Sequence, residues 1–185
     1  MVVAVLALQG AFLEHEQMLK KLGAEVFEIR QKKDLERPFD ALILPGGEST
    51  VMAKLMREDG LYEPLLAKIQ AGLPVYGTCA GLILLAREVE GGTPAFGTMN
   101  IRALRNAYGR QLGSFSVDEQ IEGIGTFPMR FIRAPYIEKV LDDTKVLAKV
   151  DGNIVMVENK NQFAMSFHPE LTSDTRIHEM FLKKI

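Results

Sequence analysis

The sequence contains one cysteine among 185 residues, which excludes a disulfide within the chain and a cysteine-based zinc site. It also has little excess charge: a formal net charge of −2 provides no electrostatic footprint for nucleic acid or an anionic membrane. The apolar run at residues 2–8 lacks a basic leader and is too short for a signal peptide or a membrane span. Because a reactive thiol suits a reducing compartment, we expect a cytoplasmic protein.

Internal repeats, low-complexity segments and linkers rich in proline, glycine or serine are missing as well. Without a linker to divide it, the chain is expected to form a single domain over residues 1–185. Hydrophobic residues make up 47% of the sequence and charged residues 25%, which is ordinary for a globular protein with a sizeable core. Because the net charge is small and the apolar run at residues 2–8 is short, binding to nucleic acid and insertion into membranes are not expected.

Strand and helix patterns alternate through the first half of the sequence. Predicted strands cover residues 2–8, 25–29, 41–44 and 73–76; predicted helices cover residues 11–22 and 61–71, with another starting near Ser49 or Thr50. This alternation predicts an α/β fold in which a parallel sheet carries helices on both faces. Functional residues in such sheets collect beyond the carboxyl ends of the strands, here Gln9, Glu48 and Cys79.

The second half of the sequence is richer in strands. Predicted strands cover residues 99–104, 126–133, 145–150, 154–158 and 162–167, and Asp151-Gly152-Asn153 is typical of a hairpin turn. A closing helix is expected to follow a cap at Ser173. The sheet is therefore expected to be parallel at its start and mixed or antiparallel later.

The single cysteine lies at the tip of a Gly-x-Cys-x-Gly turn between an apolar strand and a helical apolar run. This is the pattern of a nucleophile elbow, with cysteine in place of serine. Gly77 and Gly81 permit unusual backbone angles and a close approach of strand and helix. The helix N-terminus favours a thiolate at Cys79, and the N–H of Ala80 is placed to form half of an oxyanion hole. The alternative is a buried structural cysteine.

A second candidate group follows the last predicted strand. His168 and Glu170 are two positions apart, and on a strand such residues share a face. The carboxylate can then orient the imidazole while the other ring nitrogen meets the sulfur of Cys79. The alternative is a plain strand end leading into a loop. The two other histidines, His15 and His178, lie on predicted helices and are expected at the surface.

Paired glycines mark a third strand end. Gly46 and Gly47 permit a peptide to take either of two orientations, so that the N–H of Gly47 can complete the oxyanion hole with Ala80. Glu48 beside them can bind a substrate ammonium group. The alternatives are a plain turn and a solvated acid.

Five segments in matching order resemble the class I glutamine amidotransferases, and among them the glutaminase subunits of pyridoxal 5′-phosphate synthase. They are residues 8–10, 44–50 (with Pro-Gly-Gly-Glu-Ser-Thr), 77–83 (with Cys-Ala-Gly-Leu), 131–135 and 166–172. The resemblance extends over the whole chain and implies a flavodoxin-like, three-layer sandwich with added antiparallel strands. Arg105-Asn106 and Gly109-Arg110-Gln111 also fit this family, whereas Ala107-Tyr108 depart from its more usual Ser-Phe.

The resemblance implies roles for individual residues. Cys79 would attack the side-chain amide of L-glutamine, Gly47 and Ala80 would bind the oxyanion, and His168, oriented by Glu170, would transfer protons. The implied glutamine site comprises Gly46, Gly47, Glu48, Ser49, Arg105, Ile132 and Arg133. An acid there suits the α-ammonium group and a guanidinium suits the α-carboxylate.

The resemblance also implies a partner. Ammonia would pass to a separate (β/α)₈-barrel synthase subunit that makes pyridoxal 5′-phosphate, and this chain itself would hold no cofactor and no metal. Gln9 is the candidate residue for sensing that partner. Two alternatives remain open: another thiol hydrolase of the same fold, such as a peptidase or deglycase, and a catalytically silent regulatory module.

Overall fold

The computed structural model describes residues 1–105, 113–142 and 144–185. Within these ranges the elements follow the order β1 (Val2–Leu6), α1 (Phe12–Lys21), β2 (Glu25–Ile29), β3 (Ala41–Leu44), α2 (Ser49–Glu58), α3 (Tyr62–Gln70), β4 (Val75–Thr78), α4 (Ala80–Leu85), β5 (Ala86–Val89), β6 (Met99–Leu104), β7 (Ser114–Ile121), β8 (Gly125–Ile132), β9 (Tyr136–Val140), β10 (Lys145–Val150), β11 (Asn153–Asn159), β12 (Gln162–Met165) and α5 (Arg176–Leu182). Two 3-10 turns cover Lys32–Glu36 and Pro169–Leu171.

In the described ranges, ten strands form one sheet in the order β2-β1-β3-β4-β12-β11-β9-β6-β5, with β10 paired to β11. The strands from β2 to β12 in this order pair in parallel, whereas β11 is antiparallel to β12, β9 and β10. Strand β6 is antiparallel to β9 but parallel to β5, so the prediction of a sheet that starts parallel and continues mixed or antiparallel is confirmed. Strands β7 and β8 form a separate antiparallel hairpin.

Helices cover both faces of the sheet, because alternate residues of the central strands point to opposite sides. In β1, Ala4 and Leu6 pack into a core with α2, α3 and α4, while Val3 and Val5 pack into a second core with α1, α5 and β8. Both sets are fully buried, as expected for the continuous apolar strands of a covered parallel sheet. The predicted three-layer sandwich is confirmed.

Several predicted boundaries and caps are wrong. Helix α2 begins at Ser49, but Glu48 caps it: the Glu48 carboxylate accepts a hydrogen bond from the Thr50 backbone N–H at 3.0 Å. Helix α5 begins at Arg176, so Ser173 lies outside it and does not cap it. The last strand ends at Met165 rather than residue 167, because the chain leaves the sheet before His168.

Three strands, β5, β7 and β9, were not predicted from the sequence. Strand β7 reads Ser-Phe-Ser-Val-Asp-Glu-Gln-Ile, and most of its residues are exposed or half-buried. Strand β9 places two charged residues in succession on a partly exposed surface. Polar strands of this kind have a weak hydrophobic signal, and their pairing with β8 and β6 decides their conformation. In the part of the chain that the structure describes, no helix has the length and apolar character needed to cross a membrane.

Candidate active site

The turn between β4 and α4 places Cys79 at a sharp bend. Its backbone has φ 50° and ψ −99°, a strained conformation for a residue with a side chain. The Cys79 N–H donates to the carbonyl of Met165 in β12 at 2.8 Å, so the bend is fixed to the neighbouring strand. Cys79 has only 8% of its surface exposed, and its sulfur lies 4.0 Å from the carbonyl oxygen of Ile132. Strain of this kind is typical of a nucleophile elbow.

Two close backbone contacts explain the glycines beside Cys79. A Cβ atom on Gly77 would lie 2.7 Å from the carbonyl carbon of Gly81, and one on Gly81 would lie 2.1 Å from the carbonyl oxygen of Leu44. Neither distance is possible for a real side chain, so α4 can approach the sheet this closely only with glycine at both positions.

His168 and Glu170 lie together, although a strand does not bring them there. His168 precedes the 3-10 turn Pro169–Leu171, and the turn folds the Glu170 side chain back onto the imidazole. The Nδ1 atom of His168 and the Oε1 atom of Glu170 are 2.7 Å apart. This contact leaves Nε2 as the ring nitrogen available to the sulfur of Cys79. The expectation that His168 and Glu170 share one face of a strand was therefore wrong, because the 3-10 turn and not a strand brings them together.

The three side chains influence one another's ionisation. Burial alone would lower the pKa of His168, but hydrogen bonds and charge interactions with Cys79 and Glu170 outweigh it and raise this pKa from 6.5 to about 10. Burial raises the pKa of Glu170, and the hydrogen bond from His168 opposes that change. This environment favours an imidazolium that can give a proton to a leaving group.

A cavity of about 500 Å³ opens beside these residues at the carboxyl ends of the parallel strands. Its volume is in the usual range for small-molecule sites. Of the residues that the sequence assigned to the site, those lining the cavity are Gln9, Gly46, Gly47, Glu48, Ser49, Cys79, Arg105, Ile132, Arg133 and His168. Glu170 lies behind His168, and Ala80 is the buried first residue of α4.

One acid and one guanidinium group meet at the edge of this cavity. An Nη atom of Arg105 lies 3.4 Å from Oε1 of Glu48 and 3.1 Å from Oγ1 of Thr50. Half of the Glu48 side chain is exposed, so the carboxylate is open to a ligand as well as to Arg105. An ammonium group and a carboxylate on one small molecule can each find an opposite charge here.

Hydrogen bonds to the loop after β1 hold the loop after β3 in place. The carbonyl of Gly46 accepts a hydrogen bond from the Ala11 N–H at 3.1 Å, and Oε1 of Gln9 accepts one from the Glu48 N–H at 2.6 Å. Because the Gly46–Gly47 peptide is trans, the N–H of Gly47 points away from Ala11. Gln9 thus contacts the turn that was assigned to the oxyanion hole.

Ile132 and Arg133, at the end of β8, also line the cavity. Ile132 is 42% exposed, although it is a large aliphatic residue. Arg133 has φ 44°, and its N–H donates to the carbonyl of Gly113 at 2.6 Å. A non-glycine residue in the left-handed region beside a cavity is typical of a functional loop.

The structure corrects the expectation that His15 and His178 lie at the surface. Both are fully buried: Nδ1 of His15 is 3.1 Å from Nε2 of His178, and Nε2 of His15 is 3.5 Å from Oε2 of Glu170. Sequence analysis missed this cluster, yet a signal was present. His15 is three positions from both Phe12 and Met18, so it belongs to the apolar stripe of α1.

The departure at Ala107-Tyr108, together with Asn106, Gly109, Arg110 and Gln111, lies outside the described residues. Among the residues that are described, no group of three or more histidine, cysteine, aspartate or glutamate side chains could hold a metal ion.

The chain is similar to known proteins over nearly its whole length. Residues 5–185 match the model of the SNO glutamine amidotransferase family. A protein of Methanocorpusculum labreanum named pyridoxal 5′-phosphate synthase subunit PdxT is 57% identical over 183 residues, which are 99% of this chain and 97% of that protein. A PdxT of Desulfitobacterium hafniense is 58% identical over 99% of this chain and 92% of its own length.

A solved structure is also similar over the full chain. It is described as the crystal structure of a glutamine amidotransferase, and it superimposes with a TM-score of 0.94 at 45% sequence identity. The match covers 100% of this chain and 98% of that one.

Proposed function

The chain belongs to the SNO glutamine amidotransferase family, and from that premise we propose that it hydrolyses L-glutamine and supplies ammonia for the synthesis of pyridoxal 5′-phosphate. The observation that carries the proposal is the position of Cys79 at a strained elbow, beside a His168–Glu170 pair and a cavity with opposite charges. The relatives named pyridoxal 5′-phosphate synthase subunit PdxT supply the destination of the ammonia.

The proposed reaction proceeds through a thioester. The Cys79 sulfur attacks the side-chain amide carbon of glutamine, and the C=O electrons move onto oxygen. As the oxyanion collapses, the C–N bond breaks, and the imidazolium of His168 gives its proton to the leaving ammonia. His168 then takes a proton from water, which attacks the thioester and releases glutamate and the free cysteine.

Glu170 and two backbone N–H groups support these steps. Glu170 accepts from Nδ1 of His168 at 2.7 Å and thereby presents the other ring nitrogen to the reaction. The N–H of Ala80, at the start of α4, has no partner within its own helix, because the first N–H groups of any helix lack one. We assign it to the oxyanion hole together with the N–H of Gly47.

The cavity accommodates the amino-acid end of glutamine in this proposal. Glu48 binds the α-ammonium group, and Arg105 binds the α-carboxylate by charge-assisted hydrogen bonds. Gly46, Ser49, Ile132 and Arg133 form the walls along the aliphatic part of the substrate. The Glu48–Arg105 contact is 3.4 Å long and exposed, so the substrate can replace it at little cost.

The partner in this proposal is a (β/α)₈-barrel synthase subunit, which receives the ammonia in the cytoplasm. This chain contributes no cofactor. Gln9 is our candidate for sensing the partner, because its side chain accepts a hydrogen bond from the Glu48 N–H in residues 46–48, which we call the oxyanion turn. A peptidase or deglycase of the same fold is not favoured, since relatives of 57–58% identity are named as synthase subunits.

Covalent trapping tests the proposal. The wild-type chain is incubated with an electrophilic glutamine analogue, together with the synthase subunit, and the modified peptide is located by mass spectrometry. We expect one adduct on Cys79, protection by L-glutamine, and no adduct in Cys79→Ala. The matched control is the same analogue built on D-glutamine. Equal labelling by both enantiomers, or no protection by glutamine, would contradict a glutamine site.

A further inference from the structure

A cluster of buried polar side chains lies behind the proposed catalytic residues and has no role in the steps above. His15 of α1 and His178 of α5 are fully buried, and Thr78 and Tyr76 of β4 lie beside them. Burying so many polar groups is costly unless their hydrogen bonds are satisfied. An arrangement of this kind therefore calls for an explanation beyond packing.

The contacts of His15 connect this cluster to Glu170. Nδ1 of His15 lies 3.1 Å from Nε2 of His178. Nε2 of His15 lies 3.2 Å from Oγ1 of Thr78 and 3.5 Å from Oε2 of Glu170. In the described part of the chain, Oε2 of Glu170 has no hydrogen-bond partner, and Nε2 of His15 lies near it at 3.5 Å.

The direction of these contacts follows from the chemistry of the groups. An ionised carboxylate only accepts hydrogen bonds, so we assign a proton to Nε2 of His15, where Thr78 Oγ1 at 3.2 Å and Glu170 Oε2 at 3.5 Å are both acceptors. A neutral imidazole then accepts at Nδ1, and His178 donates to it from Nε2. On the other side, Nδ1–H of His168 donates to Oε1 of Glu170. The N–H groups of His168 and of His15 in α1 thus face the two carboxylate oxygens of Glu170 from different parts of the fold.

We propose that His15 is a positioning residue for Glu170: held by His178, neutral His15 donates from Nε2 toward the carboxylate oxygen that His168 leaves open. It thereby keeps Glu170 ionised and aligned with His168. The kinetic consequence rests on the proposed function, whereas the positions of the ring protons do not.

The pKa values of His15 and His178 are both lowered, which favours neutral imidazole rings. Burial, together with the nearby His178 and His168, lowers the pKa of His15 well below its ordinary value. Burial lowers the pKa of His178 to about 4. Both histidines are therefore neutral near pH 7, as the proposed donor chain requires.

Titratable groups face Glu170 from several elements. His168 faces it from its own segment, His15 from α1, and Tyr76 from β4. Glu14 of α1 adds repulsion that raises the pKa of Glu170 further, beyond the larger effect of burial. Removal of the His15 donor leaves burial and repulsion less opposed, so that Glu170 takes up a proton at higher pH.

The first experiment compares the variants His15→Phe and His15→Gln. For each, the rate of Cys79 alkylation by iodoacetamide and kcat/KM for ammonia release with the synthase subunit are measured as functions of pH. In His15→Phe we expect the acid limb of both profiles to move up by about one pH unit. His15→Gln keeps an amide N–H and should restore most of the shift. His178→Phe, which removes only the donor to His15, should cause a smaller shift.

Met18→Leu is the matched control, because Met18 is buried on the same helix and the change conserves volume. Its acid limb should coincide with that of wild type. A purely structural role of His15 would lower the melting temperature of His15→Phe and leave the acid limb in place. That result would overturn the proposal.

The second experiment uses the wild-type chain. Its result therefore does not require that a variant folds or that the chain is a glutaminase. The chain has three histidines, so ¹⁵N-labelled imidazole signals can be assigned in NMR spectra of the isolated chain. We expect neutral rings protonated at Nε2 for His15 and His178 at pH 7. A His15 ring that carries its proton on Nδ1, or that is doubly protonated, would overturn the proposal. If the ring protons are found where we expect them but the chain releases no ammonia with the synthase subunit, only the proposed function is contradicted.

Discussion

At the residue scale, the chemistry of the site depends on how a few groups are held. Cys79 is a small buried side chain, and what distinguishes it is the positive φ of its backbone and the imidazole beside it. His168 has a raised pKa, whereas His15 and His178 have lowered ones. Histidines in one protein thus differ in charge, because interactions with Cys79 and Glu170 outweigh burial at His168, whereas burial dominates at His15 and His178.

The variant Glu170→Gln tests the orienting role of the carboxylate. The amide cannot stabilise the imidazolium, and it favours the wrong ring tautomer, so kcat should fall by roughly 100-fold to 10,000-fold. KM for glutamine should change little, since Glu170 does not line the cavity. Steady-state ammonia release with the synthase subunit measures both constants.

The control for this variant is Glu16→Gln. Glu16 is another buried carboxylate, and it pairs with Lys20 on α1 instead of with a histidine. Its substitution should leave kcat within about twofold of wild type. A similar loss of kcat in both variants would show that Glu170 acts through stability alone.

The variant His178→Phe tests whether His178 is buried in its neutral form, through the pH dependence of the free energy of unfolding. His178 has a pKa of about 4 in the folded protein and near 6.5 when unfolded, so the unfolded chain binds the extra proton first as the pH falls. The stability that this group contributes is present above pH 6.5 and is lost toward pH 4, by up to about 3 kcal/mol.

In His178→Phe the free energy of unfolding should therefore decline less steeply between pH 6.5 and 4 than in wild type. Urea denaturation at a series of pH values measures this slope. Identical slopes for the two proteins would contradict a neutral, buried His178. Lys183→Gln, an exposed change at the end of the same helix, is the control.

At the element scale, the sequence predicted the parallel half of the sheet better than the rest. Strands β2 and β3 were placed correctly because short apolar runs bounded by turn residues have a strong signal. Strands β7 and β9 were missed because their polar residues take a strand conformation only through pairing with β8 and β6.

The site was predictable where glycine marks it. Gly77, Gly81, Gly46 and Gly47 are required by close backbone or side-chain contacts, and each of them flanks a residue of the site. His15 was misplaced because a histidine on an apolar helix stripe appears polar in the sequence. Only the packing of α1 against α5 and the 3-10 turn reveals that it faces Glu170.

The variant Gly81→Ala tests the close approach of α4 to the sheet. The added methyl group would lie 2.1 Å from the carbonyl oxygen of Leu44, and a backbone atom cannot move aside easily. We expect a loss of about 2 kcal/mol or more in the free energy of unfolding, with weaker ammonia release because the elbow shifts. Gly113→Ala is the control, since its added methyl group meets no atom of the described residues within 4 Å. Equal stability of the two variants would contradict the packing argument.

At the scale of the whole molecule, the cavity lies where the loops after β1, β3, β4 and β8 meet. The hydrogen bonds from Ala11 to Gly46 and from Glu48 to Gln9 join two of these loops. We propose that a protein which binds over this end of the sheet changes the oxyanion turn by moving the loop after β1. In this way a partner could control catalysis without contacting Cys79.

The variant Gln9→Ala tests that route. It removes one hydrogen bond to the oxyanion turn, which corresponds to about a fivefold effect. We expect the activation of ammonia release by the synthase subunit to fall by this factor, while KM for glutamine stays within about twofold of wild type. Gln17→Ala, an exposed glutamine on α1, is the matched control. Equal losses of activity in the isolated and the partnered enzyme would contradict a role in activation.

Ammonia release from L-glutamine, with and without the synthase subunit, tests the glutaminase function most directly. Wild type should release ammonia weakly alone and much faster with the partner, and Cys79→Ala should release none under either condition. Ammonia release by Cys79→Ala at the wild-type rate, or no release by wild type in the presence of the partner, would contradict the account.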